Sequence, residues 1–115
     1  MRVLVCGGRD YDDRERVFRE LDALHEKTPI TALIEGGANG ADRHAHEWAT
    51  SRTVLCRTFH ADWKEYGKAA GPIRNQRMID AGKPDLVVAF PGHEGTEDMV
   101  SRARWAGLKV MEIAP

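Results

Sequence analysis

Apolar residues gather in five short runs along the chain: Arg2–Cys6, Thr31–Ile34, Thr53–Phe59, Leu86–Phe90 and Leu108–Ile113. Leu86-Val87-Val88-Ala89-Phe90 shows no alternation with polar residues. A continuous run of this length suits a strand covered on both faces, as in a parallel sheet. Between the runs the apolar positions change to helical spacing. Val17, Phe18, Leu21 and Leu24 form one stripe within a helix expected from about Asp12 to Glu26, with Asp12 or Asp13 as its cap. Ala41, Ala45, Trp48 and Ala49 form another, within a helix over Ala41–Ser51. Further helices are expected over Pro72–Ala81, closed by Gly82 and Pro84, and from a Thr96 N-cap to about Ala106, closed by Gly107.

Strand and helix therefore alternate from end to end. That pattern predicts an α/β three-layer sandwich, with one five-stranded parallel sheet and helices on both faces. Right-handed crossovers leave few topologies, of which the order 3-2-1-4-5 fits best. Strands 1 and 4 are then neighbours at the point where the chain changes direction. Ligands of such sheets bind outside the carboxyl ends of the strands at that point. Three glycine turns fall at this edge: Gly7-Gly8, Gly36-Gly37 with Gly40, and Pro91-Gly92 with Gly95-Thr96. Gly71-Pro72 and Arg74 lie at the same edge. One such turn is a weak signal, but several at one edge favour a ligand bearing phosphate or ribose groups. The segment His60–Gly71 is polar, carries Trp63 and Tyr66, and is longer than an ordinary strand-to-helix connection.

Composition narrows the picture further. A length of 115 residues predicts one domain, 1–115. Lys+Arg number 17 and Asp+Glu 18, so the chain lacks the basic excess of a non-specific nucleic-acid coat. No apolar stretch is long enough for a membrane helix and no signal-peptide pattern opens the chain, so a cytoplasmic location is expected. The two cysteines, Cys6 and Cys56, fall in strand-like runs and read as buried thiols rather than a disulfide or zinc framework. His44 and His46 do not share a helix face, and no metal site is expected from them. No Ser-His-Asp or Cys-His pattern marks a catalytic centre, and nothing in the motifs calls for a cofactor.

Four ordered motifs carry a family resemblance: Gly7-Gly8-Arg9-Asp10-Tyr11, Gly36-Gly37-Ala38-Asn39-Gly40-Ala41-Asp42, Gly71-Pro72-Ile73-Arg74-Asn75-Gln76-Arg77-Met78 and Pro91-Gly92-His93-Glu94-Gly95-Thr96. With them the chain resembles the YspA-type, cpYpsA-related branch of the SLOG superfamily, which also holds the LOG cytokinin-activating enzymes and the DprA single-strand DNA-binding proteins. The resemblance implies a Rossmann-like fold. It also implies a nucleotide or nucleotide-derived ligand, in a sensor or component of a prokaryotic or phage system. Arg74 and Met78 match the arginine and methionine of LOG enzymes, and Pro91, Gly92, Gly95 and Thr96 match their glycine loop. His93 replaces that loop's second glycine. Met99 stands where those enzymes carry a glutamate of catalytic role, and a thioether cannot handle a proton or stabilise an oxocarbenium ion. Glu94, Glu97, Asp98 and Glu35 are the carboxylates that could substitute.

The residues expected to bind the ligand are Gly7, Gly8, Arg9, Gly36, Gly37, Gly40, Asp42, Gly71, Arg74, Asn75, Pro91, Gly92, Gly95 and Thr96. Arg9 and Arg74 suit phosphate, and Asp42 suits a role in orienting its own loop through backbone N–H groups. Asp10 suits ribose hydroxyls or a turn, and Trp63 or Tyr66 suits stacking on a base. The competing functions are a LOG-like N-glycosidase or a phosphoesterase, and a single-strand nucleic-acid binder like DprA. Near-zero net charge weighs against the last. A homo-oligomer is compatible with all three.

Overall fold

A computed structural model describes residues 1–115. Five strands, β1 (Arg2–Cys6), β2 (Ala32–Glu35), β3 (Leu55–Thr58), β4 (Leu86–Ala89) and β5 (Lys109–Glu112), alternate with α1 (Arg14–Lys27), α2 (Ala41–Ser51), α3 (Trp63–Tyr66), α4 (Ala70–Asp80) and α5 (Glu94–Trp105). The sheet order is β3-β2-β1-β4-β5 and every pairing is parallel. This is the Rossmann-like arrangement expected from the alternation. Val3 pairs with Leu33 on one side and Leu86 on the other, so β1 lies at the centre.

Alternation of side chains along β1 divides the core in two. Val3 and Val5 join Val17, Leu21, Ala45, Trp48 and Ala49 beneath α1 and α2. Leu4 and Cys6 join Met78, Ile79, Met99, Val100 and Ala103 beneath α4 and α5. Trp48 is fully buried, and its indole N–H is satisfied by Asp22 at 2.8 Å. Asp13 caps α1 by accepting from the Arg16 N–H at 3.1 Å.

Two helix starts differ from expectation. α4 begins at Ala70, so Gly71 and Pro72 lie within its first turn. α5 begins at Glu94 with His93 as N-cap, so Thr96 sits inside the first turn rather than capping it. The Thr96 hydroxyl packs against Gly92 and makes no cap bond, because the chain already turns helical two residues earlier. The long segment after β3 is not irregular. Asp62 caps the single turn of α3 by accepting from the Glu65 N–H at 3.0 Å, and a 3-10 turn over Gly67–Ala69 leads into α4. Cys56 is only partly buried, since β3 is an edge strand.

Candidate functional site: a cleft at the carboxyl ends of β1 and β4

The glycine turns meet as a stitched unit. The Gly8 N–H donates to the Pro91 carbonyl at 2.9 Å, and the Gly8 carbonyl accepts from Ala41 at 3.2 Å. Gly40 has φ +74°, and a Cβ there would lie 2.1 Å from the Gly8 carbonyl oxygen. A side chain at Gly92 would strike Thr96 and the Gly8 nitrogen. The first, second and fourth loops thus approach one another at backbone distance, which only glycine permits.

Beside this unit lies a cleft of about 640 Å³. Of the residues expected at the ligand, Gly7, Gly8, Arg9, Asp42, Gly71, Arg74, Asn75, Gly95 and Thr96 line it. Gly36, Gly37, Gly40, Pro91 and Gly92 do not. Pro91 and Gly92 line a smaller hollow on the other side of the loop, with Thr96 and Glu97. The other three stand behind the wall and position it. Asp42 accepts from the N–H groups of Gly36 and Ala38, each at 3.2 Å, and so holds the second loop in place. The Gly36 carbonyl in turn accepts from Arg74 Nη1 at 2.6 Å.

The arginines differ in setting. Arg74 is partly buried, and its Nε donates to Asn75 Oδ1 at 3.0 Å. Burial pushes its pKa down, while the Asp42 carboxylate opposes that shift. Its Nη2 makes no protein hydrogen bond. Arg9 is exposed and its guanidinium lies 5.3 Å from the Trp63 ring centroid, joining the first loop to α3 across the mouth. Asn75 is buried and ties α4 to α5, donating to the Gly95 carbonyl at 3.2 Å and to Asp98 at 3.0 Å.

Acidic groups also reach the cleft, but three of the four are offset. Asp98 is held by Arg102 at 2.8 Å. Burial pushes Asp42 up to about 7, with the backbone N–H of Ala38 and the nearby Arg74 pulling the other way. Asp10 lies 3.5 Å from His93. Glu94 is exposed at the rim. Of the carboxylates considered as substitutes for a catalytic glutamate, Glu94 and Asp98 line the cleft, whereas Glu97 and Glu35 do not. Met99 is fully buried in the α4/α5 core.

The first turn of α5 opens at the cleft through Gly95 and Thr96, and no side chain caps it. The N–H groups of Glu94, Gly95 and Thr96 are therefore free donors at the positive end of a helix dipole. Asp98, named from the sequence only as a spare carboxylate, lines the cleft because it lies three and four residues after Gly95 and Glu94 and so shares their helix face. Lys68, which also lines it, was passed over. Lys68 had no such signal, because its 3-10 turn carries no periodicity.

A parallel Rossmann-like sheet with a glycine-built cleft at its switch point defines the class of protein. The chain belongs to the YspA, cpYpsA-related SLOG family, whose sequence model matches residues 1–66. The third and fourth motifs lie beyond that match. A relative that extends past it is the Gene 61 protein of Mycobacterium phage D29, 38% identical over 120 residues, spanning 97% of this chain and 95% of that protein. Among solved structures the chain is similar to DNA processing protein A (DprA) from Streptococcus pneumoniae, with TM-score 0.78 and 20% identity. The match covers 99% of this chain and 50% of DprA, so the chain spans about half that protein's length.

Proposed function

We propose that the protein binds a nucleotide or nucleotide-derived small molecule in this cleft. The observation that carries the reading is the uncapped first turn of α5 opening into a cleft that Arg9 and Arg74 also line. A phosphate there accepts from free N–H groups, gains from the helix dipole and meets guanidinium charge. The half-exposed Trp63 ring, backed by Arg9, offers a base an aromatic face. With Asp98 paired and Asp42 largely protonated below neutral pH, the inner cleft favours an anion.

Binding without base release is the form of the function we favour. Met99 gives the cleft neither a proton donor nor a charge, and Asp98 is committed to Arg102 and Asn75. Incubation with nucleoside monophosphates should therefore release no free base by chromatography. Turnover that disappears in Glu94→Gln would instead make the protein an enzyme with a relocated carboxylate.

A single-strand nucleic-acid role fits less well. Arg9, Lys68 and Arg74 are the only cations lining the cleft, and Asp10 and Glu94 interrupt them at its exposed rim, which is not the continuous basic groove that tracks a phosphate backbone. Native mass spectrometry of the purified protein tests the proposal. A retained small molecule carrying phosphate supports it. Retention of oligonucleotides, with no small phosphorylated species, would overturn it in favour of the nucleic-acid role.

A further inference from the structure

On the opposite face of the sheet from α4 and α5, three metal-ligating side chains converge outside the cleft. Glu35 ends β2, Cys56 lies on the edge strand β3, and His46 lies on α2 above them. The register pairs Leu33 with Cys56 and Glu35 with Thr58, so all four side chains project toward α2. His46 Nδ1 is 3.3 Å from Glu35 Oε2, Cys56 Sγ is 3.4 Å from His46 Nδ1, and Cys56 Sγ is 3.7 Å from Glu35 Oε2.

These separations match a coordination shell. Zinc bonds of about 2.3 Å to sulfur and about 2.0–2.2 Å to nitrogen or oxygen, set tetrahedrally, place neighbouring donors roughly 3.3–3.6 Å apart. We propose that Glu35, His46 and Cys56 form a three-ligand site for a divalent transition metal of the zinc class, with water in the fourth position. The His46 side chain is 52% exposed, which leaves solvent access on that side.

Two further observations fit a cation. The Glu35 side chain is fully buried, yet no lysine or arginine pairs with it, and its one ionic contact is His46. A buried carboxylate is costly without positive charge nearby. The groups that would orient it are already in place. The Gly37 N–H donates to Oε1 at 2.6 Å, and the Thr58 hydroxyl donates to Oε2. On binding, the Cys56 thiol proton passes to solvent as the metal–sulfur bond forms, so uptake strengthens as pH rises.

Cobalt(II) titration of the reduced, metal-free protein tests the site. One equivalent should produce the near-ultraviolet thiolate-to-cobalt band and the visible bands of a tetrahedral centre, and one equivalent of zinc should remove them. Cys56→Ser should abolish the thiolate band. His46→Ala should weaken binding at least as much as loss of an orienting partner does, about 10- to 100-fold. His46 is half exposed, so that variant keeps the fold, which circular dichroism checks. His44→Ala, on the other side of the helix, should bind as the parent does. Absence of the thiolate band, or unchanged cobalt affinity in both Cys56→Ser and His46→Ala, would overturn the proposal and leave a hydrogen-bonded trio without metal affinity.

Discussion

Gly95 separates ligand binding from folding more cleanly than any other residue of the cleft. It is the second residue of α5, its φ lies outside the left-handed region, and a Cβ placed on it meets nothing within 4 Å. A leucine is therefore accommodated, and removing glycine from a helix gains up to about 1 kcal/mol. The same side chain stands among the free N–H groups where the phosphate is proposed. Displacing the phosphate forfeits a charge-assisted hydrogen bond of about 1.5–3 kcal/mol. It also forfeits a helix-end interaction of about 0.3–1 kcal/mol. Together these come to roughly 2–4 kcal/mol, or on the order of 30- to 1,000-fold in Kd. Calorimetric titration of Gly95→Leu with a nucleoside monophosphate, beside a thermal melt, reads both effects. Gly95→Ala, with one methyl group, should fall between parent and leucine variant. Parent-like affinity in Gly95→Leu, with the fold intact, would refute the placement of the phosphate.

Arg74→Ala should weaken nucleotide binding by about 1.5–3 kcal/mol. Its melting temperature should fall as well, because the Gly36 carbonyl loses its guanidinium partner; calorimetry and a melt on the same sample check the pair of effects. Arg74→Lys should restore part of the binding, since an ammonium lacks the planar fork. Asp42 gives a pH dependence of definite sign. Its pKa rises from 3.8 to about 7 through burial and the Glu35 carboxylate, against the Ala38 and Gly36 N–H groups and Arg74. The folded protein thus holds a proton that the unfolded chain releases. That contribution is complete below pH 4 and is lost as pH rises through 7, amounting to on the order of 4 kcal/mol at about 1.36 kcal/mol per unit. Asp42→Asn, whose amide oxygen can accept the same two N–H groups, should flatten this part of the urea-denaturation profile; an unchanged slope would count against Asp42 as its source.

The sheet was legible because its signal is simple. Five apolar runs separated by helical stripes admit few arrangements, and Val3, Leu33, Val87 and Val88 are buried where the pattern places strands. Helix starts were less legible. At α5 the sequence offers Thr96 as a cap, but the helix starts at Glu94 and the Thr96 hydroxyl lies against Gly92 instead. The cleft was legible as an edge of the sheet rather than as a set of contacts. Gly36, Gly37 and Gly40 carry the same glycine signal as Gly8 and Gly95, yet they support the wall, because sequence does not distinguish a glycine close to a ligand from one close to another loop. The Glu35–His46–Cys56 trio was hidden for a related reason. Its members come from three elements, and only the β2–β3 register and the seating of α2 bring them together.

Occupation of the cleft at the carboxyl ends of β1 and β4 by phosphate and base is open to a direct test. A nitrogen–proton correlation spectrum of the labelled protein, titrated with a nucleoside monophosphate and with inorganic phosphate, addresses it at single residues. Saturable shifts are expected at the amides of Arg9, Glu94, Gly95 and Thr96 with both ligands, and a shift of the Trp63 indole with the nucleotide alone. Saturable shifts confined to other surfaces, or none at millimolar nucleotide, would contradict that occupation.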